Sequence, residues 1–143
     1  MATTAASNRF KRDVLNGVIG LSSDTLKWAF YNGSSHDADT TAYGVTNEVS
    51  ASGTGYTTGG VTASGYARAA ASNVEYIDWS DVSIASSTFT ATDILLYDDT
   101  VAAPVANVAI GIFDFGGERT TNNGAFQIIM PSATSSTAIL RLA

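Results

Sequence analysis

The chain has 143 residues, 45% of them hydrophobic and only 14% charged, and its 13 acidic and 7 basic side chains leave a formal net charge of −6. That length suits one domain with one core, and a composition so rich in apolar, Ser, Thr, Ala and Gly residues excludes a disordered polymer and argues for sheet with hydroxylated outer faces. The acidic balance argues against direct binding of nucleic acid or anionic membrane, and the absence of cysteine excludes disulfides, thiol nucleophiles and Cys-based metal sites.

Residues 1–8 read as an N-terminal arm: Met1 to Ser7 are small and polar, without periodicity, and would pay ordering entropy while burying nothing of their own. The opening MATTAASNRFKRD lacks the apolar stretch of a secretory signal, and no apolar run approaches the roughly 18 residues that span a bilayer. Synthesis and retention in a cytoplasm is the expectation. From Asn8 the pattern becomes helical, with Phe10, Val14, Leu15 and Val18 at helical spacing, Ser7 or Asn8 as cap, and Gly17 and Gly20 as punctuation. Arg9, Lys11 and Arg12 form a local basic cluster that is better read as a solvated helix face than as a nucleic-acid contact.

After the turn Ser22-Ser23-Asp24, the aromatic segment Leu26 to Tyr31 predicts a strand bounded by Asn32-Gly33. Ser34 to Gly60 follows, so dense in Ser, Thr, Asp and Gly that it predicts a long surface loop, and loops of this length often carry function. Val61 to Ala70 and Val74 to Trp79 predict two strands joined at Ser72-Asn73. Phe89 to Tyr97, Val105 to Phe115, Phe126 to Met130 and Ile139 to Ala143 predict four more. Within the second of these, alternation places Val108, Ile110 and Ile112 on one face and Ala109 and Gly111 on the other.

Six to eight short strands with turn signals between them predict an all-β, single-domain β-sandwich or open barrel, with one short N-terminal helix and the N-terminal arm. Residues 9–143 are expected to form a single β-rich domain, since neither an internal repeat nor a linker divides them.

Candidate chemistry is thin. The single histidine, His36, sits beside Asp37 and Asp39, but nothing else at ligand spacing completes a metal site. A Ser-His-Asp triad can be assembled only because serine and aspartate are plentiful, and no G-x-S-x-G elbow surrounds any serine. Glu75, Asp78 and Asp81 cluster near Trp79 as paired carboxylates would for glycoside cleavage, yet Glu75 and Asp78 are an odd number apart and a regular strand sends them to opposite faces. Gly53, Gly55, Gly59 and Gly60 lack the lysine and following helix of a phosphate cradle. No catalytic, metal or cofactor-binding residue is assigned, no cofactor is expected, and the expectation is a protein that is not an enzyme.

In order, though not singly, several segments resemble a family of small virion structural proteins from tailed double-stranded DNA bacteriophages. They are Phe10-Lys11 with Leu15-Asn16-Gly17, then Asp24-Thr25-Leu26-Lys27-Trp28-Ala29-Phe30-Tyr31, Thr46-Asn47-Glu48-Val49, Gly53-Thr54-Gly55-Tyr56-Thr57 with Gly59-Gly60, and Ile112-Phe113-Asp114-Phe115-Gly116. Trp28, where an aliphatic is usual, and the Ala-rich stretch Ala67 to Ala71 depart from the pattern. The resemblance implies a virion protein assembled in the host cytoplasm, without catalytic residues. The expected role is that of a head decoration (cement) protein on the major capsid protein or other virion proteins, self-associating as a homo-oligomer such as a trimer, with a tail or fibre component as the alternative. Candidate partner-binding residues are Arg9 and Phe10 beside the arm and Tyr43 and Tyr56 in the long loop, because exposed tyrosines bury large area at low entropy cost.

Overall fold

The computed structural model describes all 143 residues, and the chain is all-β with one short helix. In chain order the elements are β1 (Ala5–Ala6), α1 (Asn8–Leu15), β2 (Leu26–Tyr31), β3 (Val61–Thr62), β4 (Ala67–Ala71), β5 (Val74–Asp78), β6 (Val82–Ser87), β7 (Thr90–Asp98), β8 (Ala109–Thr120), β9 (Gly124–Ile128) and β10 (Leu140–Leu142). A five-stranded sheet runs β1-β8-β7-β2-β3, and a three-stranded sheet β10-β5-β4 and a two-stranded sheet β6-β9 accompany it. All pairings are antiparallel. No helix is long and apolar enough to cross a membrane.

The large sheet is buried on both faces, which explains why β2 and β7 read as near-continuous apolar runs. One face carries Trp28, Phe30, Ile94, Leu96 and Ile110 against Trp79, Val82, Ile84, Phe89 and Phe126 from the smaller sheets and their connections, in the larger core. Its aromatic rings meet mostly edge-on: Phe30 has Tyr56, Phe89 and Phe126 at centroid distances of 5.8, 5.8 and 5.3 Å. The other face buries Ala29, Tyr31, Leu95, Tyr97, Ala109 and Ile112 in a second, smaller cluster.

Strict alternation along β8 fails first at Ile110. Leu96 pairs with Gly111 and Tyr97 with Ala109, so Ile110 is an extra residue opposite no partner. The bulge puts Val108 and Ile110 in the larger core and moves Ile112 to the opposite face with Ala109, because an inserted residue inverts the parity of everything after it. A second irregularity follows. Ala91 pairs with Arg119 and Asp93 with Asp114, which leaves residues 115–118 looped out of β8.

The free arm expected over the first residues is docked instead. Ala5 and Ala6 pair with Ile112 and Gly111, the Thr3 N–H donates to the His36 carbonyl at 2.8 Å, and the Asp114 N–H donates to the Thr4 hydroxyl at 2.9 Å. Small side chains permit this: Gly111 and Ala5 let two backbones approach, and the pairing covers the otherwise open edge of β8. Removing residues 1–6 should therefore cost about 1 to 2 kcal/mol of stability, the net value of the lost ladder and docking bonds. Urea unfolding of the truncated chain measures it, and a midpoint equal to that of the full chain would show that the docking contributes nothing.

Ser7 caps α1, its hydroxyl accepting from the Arg9 N–H at 3.1 Å and donating to the Thr40 carbonyl at 2.7 Å. Gly17 takes the left-handed conformation just past the helix, at φ 68°. Phe10 is buried and Val14 packs against the same core, but Leu15 is 86% exposed, since five positions on from Phe10 it lies about 140° round the helix. The Val61–Ala70 expectation resolves into two strands, β3 and β4, and β6 is a strand the sequence reading missed.

Candidate functional site

The four residues singled out for partner binding do not form one surface. Arg9 is spent within its own helix, where its guanidinium pairs with the buried Asp13 one turn on. Phe10 is 7% exposed and belongs to the core. Tyr56 is 4% exposed, and Tyr43 is half-buried, stacked on Tyr97 at 4.5 Å with 16° between the ring planes.

The two tyrosines are joined by a residue whose role the sequence reading missed. The Tyr43 and Tyr56 hydroxyls both donate to Glu48, one to each carboxylate oxygen at 2.7 Å, and the Gly59 N–H donates to the same carboxylate at 2.7 Å. The Tyr31 hydroxyl donates to the Gly44 carbonyl and that of Tyr97 to the Gly59 carbonyl. Together these bonds fasten the long loop along the edge of β2, where Glu48 bridges to Tyr31, with Tyr43 over the second face and Tyr56 in the larger core. Burial, with Asp99 and then Glu48 adding negative charge nearby, pushes the Tyr97 hydroxyl up to about 12. For Tyr43 and Tyr56 burial also leads and Glu48 reinforces the rise, so these hydroxyls donate and do not ionise at neutral pH. Gly60 sits where a Cβ would overlap the Trp28 carbonyl. That glycine serves close approach of the loop to β2, and nothing about it suggests a phosphate.

Ser34, His36 and Asp93 do converge, but not as a nucleophile and its base. Ser34 Oγ donates to Asp93 Oδ2 at 2.7 Å and His36 Nδ1 lies 3.2 Å from the same oxygen, while the Thr92 hydroxyl donates to Oδ1 at 2.8 Å. A serine hydroxyl bonded to the carboxylate and not to the imidazole has no base to activate it. Asp93 is fully buried. Burial alone would raise its carboxyl, but the bonds from His36, Ser34 and Thr92 outweigh it and hold the group below the usual carboxylate range.

Glu75 and Asp78 lie on a β5 that runs in unbroken register with β4, so they face opposite ways and share no bond between them. Glu75 pairs with Arg68 at 3.1 Å. Asp78 is raised by burial and by Asp81, against the pull of the Trp79 and Ile139 N–H groups. No three His, Asp or Glu side chains converge as a metal cage would need.

What the chain does present is a groove and a projecting hairpin. The groove, about 370 Å³, lies between α1 and the β10-β5 pair. Val14, Leu21, Tyr66, Ile77, Leu140 and Leu142 give it an apolar floor, and Lys11, Arg68 and Arg141 stand among its walls. Three of the chain's 7 basic residues thus border one apolar site on a protein of net charge −6. A more open cleft of about 500 Å³ beside Phe115 and Phe126 is the larger, but its lining is less apolar. Next to the groove, β4 pairs with β5, its only extensive neighbour, and all five of its residues are exposed. Ser72 and Asn73 turn the hairpin with positive φ at both positions, 54° and 62°. The outer edge of β4 has no strand beside it.

Neither a family model nor a curated protein nor a solved structure matches this chain.

Proposed function

We propose that the chain is a non-enzymatic structural protein of a tailed-phage particle, most simply a head decoration protein, which docks on the major capsid protein through the groove between α1 and β10-β5 and through the β4–β5 hairpin beside it. The observation that carries the docking face is the hairpin: all five residues of β4, Ala67 to Ala71, are exposed, and the strand is paired along one edge only, with β5. Such a strand offers backbone N–H and C=O groups and small side chains to another chain. The groove supplies apolar area; Arg68 at its border is paired with Glu75, which also lines it, and Lys11 and Arg141, in no ion pair of their own, favour an acidic counterpart.

The phage assignment draws on the ordered segments of the sequence that resemble small virion proteins. A lattice of many copies makes a modest contact sufficient, because each added site raises the occupancy of the others. A trimer or other homo-oligomer belongs to this reading, as does assembly of the virion in the host cytoplasm. The alternative, a tail or fibre component that reads a receptor with the long loop, draws less support, since the loop turns Tyr56 inward and holds Tyr43 against the sheet.

Mixing the purified chain with virions that lack it, then separating bound from free on a density gradient, tests the reading. Leu142→Asp with Lys11→Glu, both at exposed positions, should leave the fold intact by circular dichroism and cut occupancy at least about tenfold, the effect of roughly 1.4 kcal/mol. Undiminished occupancy would move the contact off this face. Failure of the unaltered chain to attach, or turnover of a substrate by it, would end the proposal.

A further inference from the structure

Two turns meet at one corner of the large sheet, and each contributes an aspartate. Leu26 pairs with Asp98 across β2 and β7; beyond that pair the Asp99 N–H donates to the Thr25 carbonyl at 2.8 Å and the Thr25 N–H to the Thr100 hydroxyl at 2.7 Å. Asp98 Oδ1 accepts from the N–H groups of Thr100 and Val101 at 2.8 and 3.1 Å. Asp98 is completely buried, and its Oδ2 has no hydrogen-bond partner at all. The carboxylate within hydrogen-bonding reach of it is that of Asp24, which already accepts from the Gly20 N–H and the Ser23 hydroxyl.

Two carboxylates side by side, one of them buried with a bare oxygen, repel each other and are costly unless something positive lies between them. The protein supplies no cation. The ion pairs that Arg9, Arg12, Lys27, His36 and Arg68 make go to Asp13, Asp99, Asp93 and Glu75, and no basic side chain pairs with Asp24 or Asp98.

We propose that Asp24 and Asp98 together hold a divalent metal cation of the hard, oxygen-seeking kind, with Ca²⁺ the best fit. All the donors at this corner are oxygens, and Ca²⁺ tolerates irregular shells completed by hydroxyls, carbonyls and water. The Ser23 hydroxyl is on the spot, and Asp24 is partly exposed, which gives the ion a way in and room for water. Two protein carboxylates predict a weak site, with a dissociation constant of about 0.1 to 1 mM. The bound ion would tie the turn before β2 to the turn after β7.

Thermal unfolding of the full chain, first in EDTA and then with about 5 mM CaCl₂ at constant ionic strength, tests the site, since a ligand bound to the folded form alone raises the melting temperature. The expected rise is about 3 to 8 °C. Asp98→Asn should abolish that rise, and in EDTA it should melt no lower than the unaltered chain, because it removes the unpaired charge while keeping an acceptor for the two N–H groups. Asp24→Asn is the second variant, with the same loss of response. A melting temperature indifferent to Ca²⁺ and to Mg²⁺ overturns the site, and if stability in EDTA also falls as pH rises, the pair holds a shared proton instead. A Ca²⁺ response that survives both substitutions places any cation elsewhere and equally overturns it.

Discussion

Replacing Phe30 by Ala is expected to lower the free energy of unfolding by about 3 to 5 kcal/mol. The ring is wholly buried and touches one aromatic from each of three directions: Tyr56 from the long loop, Phe89 from the entry to β7 and Phe126 from β9. Truncation forfeits the transfer free energy of the ring, leaves a cavity, and removes the edge-to-face pairs that add about 0.5 to 1.5 kcal/mol each. Tyr56 cannot collapse into the space without releasing Glu48, so relaxation is restricted. Urea unfolding with an unchanged slope is the measurement. A loss below about 1 kcal/mol would mean that β9 and the loop close over the gap and that the three contacts are loosely held.

Asp93→Asn is expected to cost about 2 to 4 kcal/mol at neutral pH, since it breaks a buried charge-assisted network and turns an amide N–H₂ toward donors. Ser34, His36 and Thr92 all address the carboxylate, and together they fix the start of the long loop to β7. The pH dependence carries a definite sign. The Asp93 carboxyl lies below its unfolded value of about 3.9 because those bonds outweigh burial. Its contribution is therefore fully present above that value and is lost as pH falls through the folded one. Asp78 and Asp98, both raised chiefly by burial, act with the opposite sign, losing stability as pH rises through their folded values. The difference between the unaltered chain and Asp93→Asn separates this carboxylate and its partners from Asp78 and Asp98. That difference, which includes the bond to His36, should shrink as pH falls below about 4; a difference that stays undiminished at the lowest pH would contradict the assignment.

Local signals were legible where one face of a strand or one turn decided the outcome. Leu26 to Tyr31 reads as a strand and is one to the residue, and Ser72-Asn73 reads as the turn it makes. β6 was hidden because Val82 and Ile84 alternate with Ser and Ala over only six residues, a weak pattern beside its longer neighbours. β1 was hidden because two alanines carry no pattern at all and gain their place from the edge of β8. Tyr43 and Tyr56 misled for a physical reason: Gly and Ser around them signal a loop, and a loop that folds back over a sheet buries its large side chains. Arg9 and Asp13 stand at the i, i+4 spacing of an ion pair, a signal that the reading of Arg9 as a solvated, partner-binding residue passed over. Nothing local marked Glu48 or the groove. The first gathers its partners from separate turns, and the second forms only when the helix near one end of the chain lies against the strand at the other.

The extra residue at Ile110 sets where this chain tolerates changes of length. Between Val108 and Phe113 every side chain but that of Gly111, which has none, is committed to one of two cores, so dropping or adding a single residue there would exchange the two sets of side chains wholesale. A few positions further on, the looped-out stretch at Gly116 and Gly117 has empty space around both Cα atoms and left-handed backbone. A tag or fluorophore spliced between those two glycines would leave the alternation untouched, which makes that loop the natural handle for labelling the protein in an assembly.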